Sequence, residues 1–422
     1  MSRSRLPVLL VLAVSLLVLA SCQPLPVVVP VTTDPATSLY TIPFYDGANL
    51  VIDIAGPIVW STCQRGHLPA KLPCKSETCK LANAYPVQGC RASGCGHDAR
   101  KDRTSCTAYP YNPVTAACAA GSLVHTRFIA NTTNGKNPVS QVSVRTLSAC
   151  GTTKKLLASL PRGASGVAGL AGSGLALPAQ VASSQKVAKK FLLCLPTGRA
   201  NGDGVAIFGG SPLYLQYTGS LEYTESLQYT PLVARKDSPA HYVTVKYIAF
   251  ENSRVPLPPR ALATGGVVLS TTAPYTVLRP DVYRPFVAAF GKAVAAQWEY
   301  AQKPRQVKPV PPFGLCYDAR TLSNTRLGYM VPRVTLALDS GKNWTMTGVN
   351  SMVNVKPGKA CLAFVEMKAG DDGKAPAAVI IGVGGFQMEN FVLQFDLEKK
   401  RFGFVKLPYY ANCGHFNFTR SA

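Results

Sequence analysis

Charge is scarce in this chain: 15% of its 422 residues are Asp, Glu, Lys or Arg, against 47% hydrophobic. So little charge beside so much apolar material excludes a disordered polypeptide and implies a folded one. Long stretches of helical periodicity are equally scarce. Gly (35), Pro (33) and Tyr (18) are plentiful, as are Val and Thr. That mixture predicts an all-β fold with many turns and few short helices. After the first 22 residues no apolar run is long enough to cross a bilayer. The length is too great for one ordinary core, so two domains are expected.

Acid is the charge of which the chain has least, 21 Asp and Glu against 44 Lys and Arg, for a net charge of +23. Yet the bases form no dense stripe. They are scattered, as in Arg100, Lys101 and Arg103, then Lys186, Lys189 and Lys190, and no nucleic-acid motif accompanies them. Nucleic acid is therefore not an expected partner. An acidic protein or an acidic wall polysaccharide is, although a merely solubilising charge is an equal reading. Histidine is also sparse. Cys74-x4-Cys79 and Cys90-x4-Cys95 have only His97 nearby, which points to disulfides rather than zinc, and no metal or cofactor is expected. The glycine-rich Gly166-Val-Ala-Gly-Leu-Ala-Gly172 lacks both a following Lys-Ser/Thr and a Gly-x-Gly-x-x-Gly spacing. It reads as a tight turn of a sheet and not as a phosphate cradle.

What is present begins with a secretory pattern at residues 1–22: Arg3 and Arg5, an apolar core from Leu6 to Leu19, and a small-residue exit at Ala20-Ser21-Cys22. Leu19-Ala-Ser-Cys22 also fits a lipid-anchor cleavage site, but the cysteine-rich remainder suits secretion better. Twelve cysteines follow, at 63, 74, 79, 90, 95, 106, 118, 150, 194, 316, 361 and 413. An even number in a secreted chain predicts disulfides throughout, from Cys63 to Cys413. Three sequons, at Asn131, Asn343 and Asn417, suit the same route.

Two stretches carry the functional signal. Leu50-Val-Ile-Asp53-Ile-Ala-Gly56 is an apolar strand that delivers a carboxylate into a small-residue turn. Gly265-Gly-Val-Val-Leu-Ser270-Thr-Thr-Ala273 repeats the pattern with a hydroxyl in place of the acid. The repetition predicts two β lobes around a cleft, with the division near residues 225–240. Alternating patterns predict further strands at 122–129 and 139–144, 191–194 and 205–208 read as central strands, and others are expected at 241–250, 379–385, 391–396 and 401–405. A short helix is expected from Leu177 to Lys190, and another helix opens at Asp281, where Val282, Phe286, Phe290 and Val294 share a face. Hydrolysis by an acid pair needs two carboxylates sharing a proton. With Asp53 facing Ser270, only one is present.

Several segments carry a resemblance: Gly166-Val-Ala-Gly-Leu-Ala171, Leu175-Ala-Leu-Pro-Ala-Gln180, Lys190-Phe-Leu-Leu-Cys-Leu-Pro196 and Val205-Ala-Ile-Phe-Gly-Gly210. The chain resembles plant pepsin-like aspartic proteases over nearly the whole mature sequence. The active enzymes read Asp-Thr-Gly-Ser and Asp-Ser-Gly-Thr where this chain has Asp53-Ile-Ala-Gly56 and Ser270-Thr-Thr-Ala273. Tyr111 matches the flap tyrosine, followed here by Asn112-Pro113-Val114-Thr115. The resemblance implies a bilobal fold, 23–233 and 234–422, with the catalytic positions Asp53, Ser270 and Tyr111 degenerate and no catalysis.

Within that branch, Asp34-Pro-Ala-Thr-Ser-Leu-Tyr-Thr-Ile-Pro43, Ala55-Gly-Pro-Ile-Val-Trp-Ser-Thr-Cys63, Asn350-Ser-Met-Val-Asn-Val-Lys-Pro-Gly358 and Leu315-Cys-Tyr-Asp318 resemble the cereal aspartic-protease-like xylanase inhibitors. This likeness implies a secreted, monomeric protein of the apoplast or cell wall that plugs the cleft of microbial retaining endoxylanases. In that family a histidine after the last strand enters the enzyme between its two carboxylates. Tyr409 stands at the matching position, beside Tyr410 and Ala411, and Arg326 and Leu327 fall on a second contact loop. A binding or storage protein on the same scaffold, akin to basic seed globulins, is the alternative.

Overall fold

The computed structural model describes residues 24–419 apart from 46, 63–71, 88–89, 91–103, 152, 199–201, 211, 264–265, 298–302 and 369–380. The expected signal segment, Cys63 and Cys95 thus lie outside the described residues. The architecture is built on β-sheet, with few and short helices apart from Pro280–Gln297.

The strand Ala48–Asp53 is apolar at Leu50, Val51 and Ile52 because both of its faces are covered, and all three side chains are buried. It pairs antiparallel with Leu39–Tyr45 on one edge and parallel with Ala164–Gly169 on the other. Val59–Ser61 then returns antiparallel to the far edge of Ala164–Gly169. The glycine-rich segment expected to be a turn is therefore a central strand. Its glycines are there for close backbone approach: a Cβ on Gly166 would lie 2.1 Å from the Trp60 carbonyl oxygen, and one on Gly169 2.4 Å from that of Ile58.

The second half repeats this construction. Val267–Leu269 runs parallel to Ile381–Val383, and Thr276–Leu278 pairs antiparallel with that same strand. The backbone links around the two turns also correspond. Leu170 N–H donates to the Asp53 carbonyl and Ala171 N–H to that of Gly56, while Gly385 N–H donates to the Ala273 carbonyl. The duplication expected from the sequence is thus present down to single hydrogen bonds.

The halves share one sheet of thirteen strands. Phe391–Asp396 pairs antiparallel with Lys190–Cys194, and Arg401–Lys406 with Gln228–Pro231. Trp344 packs on Phe391, Phe402 and Phe404 at 5.5–5.6 Å between ring centroids, and Phe191 stacks on Phe395 at 4.6 Å. The disulfide Cys194–Cys413 ties the C-terminal segment to the same place. Further disulfides join Cys79–Cys106, Cys90–Cys118 and Cys316–Cys361, and Cys74 and Cys150 are also disulfide-bonded.

Of the expected helices, Pro280–Gln297 buries Val282, Phe286, Phe290 and Val294 as the pattern requires. The other is shorter than expected, Leu177–Gln185, and ends at Lys186 in a left-handed conformation (φ 57°). Lys189 and Lys190 therefore do not cap it; Lys190 already belongs to the next strand.

His241 lies buried beside the Phe191 and Phe395 rings, with Nε2 3.0 Å from the Leu170 carbonyl oxygen. Burial pushes its pKa down to about 4, the hydrogen bond to Leu170 opposing. Since the unfolded chain binds that proton more readily, the contribution is complete above the ordinary histidine pKa and is lost as pH falls toward 4. The loss amounts to up to about 3 kcal/mol. His241→Gln, which retains a donor for Leu170 but cannot take up a proton, is expected to flatten this acid limb in urea unfolding series across that pH window.

Candidate functional site

The two turns meet at the floor of a cleft. Thr271, wholly buried, accepts a hydrogen bond at Oγ1 from Ile54 N–H (3.3 Å) and donates from the same oxygen to the Ile52 carbonyl (2.6 Å). One threonine thus grips the backbone on both sides of Asp53. The grip has a single member, because Ile54 has no hydroxyl to return it.

Asp53 is 5% exposed. Its Oδ1 accepts the Ala55 N–H at 2.9 Å. Gly56 must lack a side chain, since a Cβ there would come 2.8 Å from Oδ2. Burial pushes the carboxyl pKa up to about 6 against the backbone donors of Ala55 and Gly56, and no cation among the described residues contributes. Ser270 lines the same cleft, its Oγ accepting the Ala273 N–H at 3.2 Å and lying 3.2 Å from Thr272 Oγ1. The cleft encloses about 650 Å³, and its walls include Trp60, Tyr85, Tyr109 and Tyr111. Among its described lining residues the only other acid is Asp237, which pairs with Arg235 at 3.4 Å.

Tyr111 is half-buried over this floor, and its carbonyl accepts the Trp60 indole N–H at 2.8 Å. The segment after it is pinned. Asn112 is fully buried; its Nδ2 donates to the Leu156 and Ala158 carbonyls, and its Oδ1 accepts from the Val114 and Thr115 amides. With Pro113 fixing one φ and Cys118 bridged to Cys90, this roof is held in place by its own bonding. Chemically, the floor of the cleft offers one carboxylate and several hydroxyls. It can bind, but it does not present two acids that share a proton.

The other candidate residues lie on the outer surface, and the fold brings two separate stretches together there. Tyr409 and Tyr410 are 58% and 54% exposed and meet edge to face, 5.4 Å between centroids. The Arg326 guanidinium sits over the Tyr409 ring at 5.0 Å. Leu327, 44% exposed, follows on the hairpin of Asn324–Thr325 and Gly328–Tyr329, which Val349 N–H anchors at the Leu327 carbonyl. Ala411 is not part of the accessible surface. It is buried beneath the tyrosines, donating its N–H to Pro408.

Tyr217, 82% exposed, meets the His415 ring at 5.3 Å in the same C-terminal region, and sequence reasoning passed over it. Nothing in its local pattern marks an aromatic that the fold leaves bare. Of the three sequon asparagines, Asn343 is exposed, whereas Asn131 and Asn417 are half-buried. No group of His, Cys, Asp or Glu among the described residues is arranged to hold a metal ion.

Comparison with known proteins bears on the family and the fold. Residues 40–210 match a family model described as xylanase inhibitor N-terminal, and residues 240–406 one described as xylanase inhibitor C-terminal. A rice protein (Oryza sativa subsp. japonica) named Chitinase CLP is 46% identical, the match covering 94% of this chain and 92% of the relative. Gamma conglutin 1 of Prunus dulcis is 31% identical, covering 95% and 91%. The crystal structure of edgp superposes with a TM-score of 0.80 at 29% identity, covering 94% of this chain and 99% of the other. Conglutin gamma, a basic 7S globulin from lupine seeds, superposes with a TM-score of 0.76 at 26% identity, covering 94% and 100%.

A buried carboxyl with a raised pKa opposes folding once it must ionise. For Asp53 the stability deficit grows as pH rises from the ordinary aspartate value through about 6, reaching up to about 3 kcal/mol above it. Asp53→Asn is accordingly expected to raise the melting temperature at pH 7.5 and to leave it nearly unchanged at pH 4. Thr271→Val, which strips the grip from two backbone groups, is expected to cost roughly 1–3 kcal/mol at either pH. Differential scanning calorimetry of the two variants checks both.

Proposed function

Because this chain belongs to the xylanase-inhibitor family of aspartic-protease-like proteins, we propose that it is a secreted, non-catalytic inhibitor of microbial endo-1,4-β-xylanases in plant defence. In this reading Ser270 replaces the second catalytic aspartate, residues 23–233 and 234–422 form the two lobes of an inactive scaffold, and the monomer acts through its outer surface. The observation that carries the proposal is the contact between Arg326 and Tyr409, which lie in separate segments of the chain and together project an aromatic and basic surface.

The chemistry suits the target. A retaining glycosidase holds two carboxyl groups about 5–5.5 Å apart at the base of its cleft. Tyr409 can enter such a slot and donate its hydroxyl proton in a hydrogen bond to one carboxylate. Tyrosine brings no positive charge, so the stacked Arg326 supplies it. Tyrosine and arginine are both enriched among the residues that dominate protein interfaces. The net charge of +23 favours approach to an acidic enzyme. Ten disulfide-bonded cysteines among the described residues support passage through an oxidising compartment.

Two other readings have support of their own. The likeness to conglutins and a basic 7S globulin favours an extracellular binding or storage protein. The rice relative's name raises chitin hydrolysis. Most glycoside hydrolysis uses a carboxyl pair, and the only described acid sharing the cleft with Asp53 is paired with Arg235.

Titration of the purified protein into a retaining xylanase is expected to abolish activity stoichiometrically. Arg326→Ala and Tyr409→Ala should each weaken inhibition by about ten- to hundredfold, equivalent to about 1.4–2.8 kcal/mol. No inhibition across several retaining xylanases would leave the storage or binding reading. Turnover of a chitin oligomer lost in Asp53→Asn would establish the third.

A further inference from the structure

The cleft floor holds an imbalance that the outer surface does not explain. Asp53 carries a carboxylate into a site where it is 5% exposed, and among the described residues no cation acts on it. Keeping a buried carboxylate without a counter-ion opposes folding. Even so, the surroundings hold it in one orientation, through the Ala55 amide, the missing side chain of Gly56 and the Thr271 grip on either side. The xylanase reading makes no use of this group.

The rest of the cleft says what would satisfy it. Its volume, about 650 Å³, falls within the roughly 300–1,000 Å³ of small-molecule sites. The half-buried Tyr85 and Tyr111 offer aromatic surface in the same cleft as the acid, and the Ser270 and Thr272 hydroxyls offer acceptors. The roof is set by Asn112 and needs no closure. A carboxylate, two hydroxyls and aromatic walls together complement an ammonium group, which has several N–H donors and gains from a neighbouring π-face.

We propose that the cleft is a receptor for a small organic cation, a primary or secondary ammonium on a flat apolar body. Its charged end pairs with Asp53 and its body lies against Tyr85 and Tyr111. This site is separate from the Arg326–Tyr409 surface, and its occupancy is independent of xylanase inhibition.

The titratable and charged groups that face Asp53 across the cleft are Tyr85, Tyr109, Tyr111 and Asp237 with its partner Arg235. Binding is expected to weaken as pH falls through about 6, where Asp53 takes up a proton. It should be about tenfold weaker at pH 5 than at pH 7.5.

The test is calorimetric titration of the full chain with phenethylammonium, tryptamine and the neutral isostere 2-phenylethanol. Saturable 1:1 binding of an ammonium, at least tenfold tighter than the alcohol, is expected. Asp53→Asn should abolish that preference, and Tyr111→Ala should weaken ammonium and alcohol alike. The melting curve of each variant establishes that it is folded. Equal affinity for ammonium and alcohol, a preference that survives Asp53→Asn, or no binding by either amine up to millimolar concentration would each overturn the proposal.

Discussion

One buried hydroxyl joins the two halves of this molecule where they meet at the cleft. Thr271 accepts a hydrogen bond from Ile54 N–H and donates one to the Ile52 carbonyl, bracketing Asp53 from the opposite turn. The shared sheet and the ring stack of Phe191, His241 and Phe395 hold the halves together in bulk. The threonine sets how the two turns face each other. With the Ala55 amide and the bare Gly56, that contact holds the carboxylate in the cleft it shares with Ser270.

The single acid then shapes what the scaffold can do. Two carboxylates at such a floor share a proton and hold each other's charge in check. Alone, Asp53 meets the full desolvation cost of ionising, which is why its pKa rises to about 6. The roof is fixed as well: Asn112 ties it to the Leu156 and Ala158 carbonyls and to the Val114 amide, and Pro113 fixes one φ. A floor with one acid under a fixed roof suits binding, and an exposed aromatic and basic surface lies elsewhere, at Tyr409, Tyr410 and Arg326.

Much of this was legible in the residue order. Leu50-Val-Ile-Asp53 and Val267-Val-Leu-Ser270 announce two equivalent strands, because a strand covered on both faces is apolar throughout. The repeat of Val282, Phe286, Phe290 and Val294 announces the long helix. What escaped depends on distant partners. Gly166 and Gly169 read as turn glycines until Trp60 and Ile58 are seen to cross them closely. The short helix stops at Lys186 because the backbone turns left-handed there, where basic residues further on suggested continuation. Ala411 lies within the phrase that carries Tyr409 and Tyr410, yet the chain folds it inward. The meeting of Arg326 with Tyr409 has no local signal, since 82 residues separate the two in the sequence.

If the outer surface is the working one, Arg326 and Tyr409 act on the target enzyme as a unit and not as two independent contacts. A double-mutant cycle on xylanase inhibition, comparing Arg326→Ala, Tyr409→Ala and the double variant, measures this directly. The account predicts that the double variant loses less than the sum of the single losses, with a coupling of about 0.5–3 kcal/mol. Strictly additive losses, or single variants that inhibit as well as the unaltered protein, would contradict it.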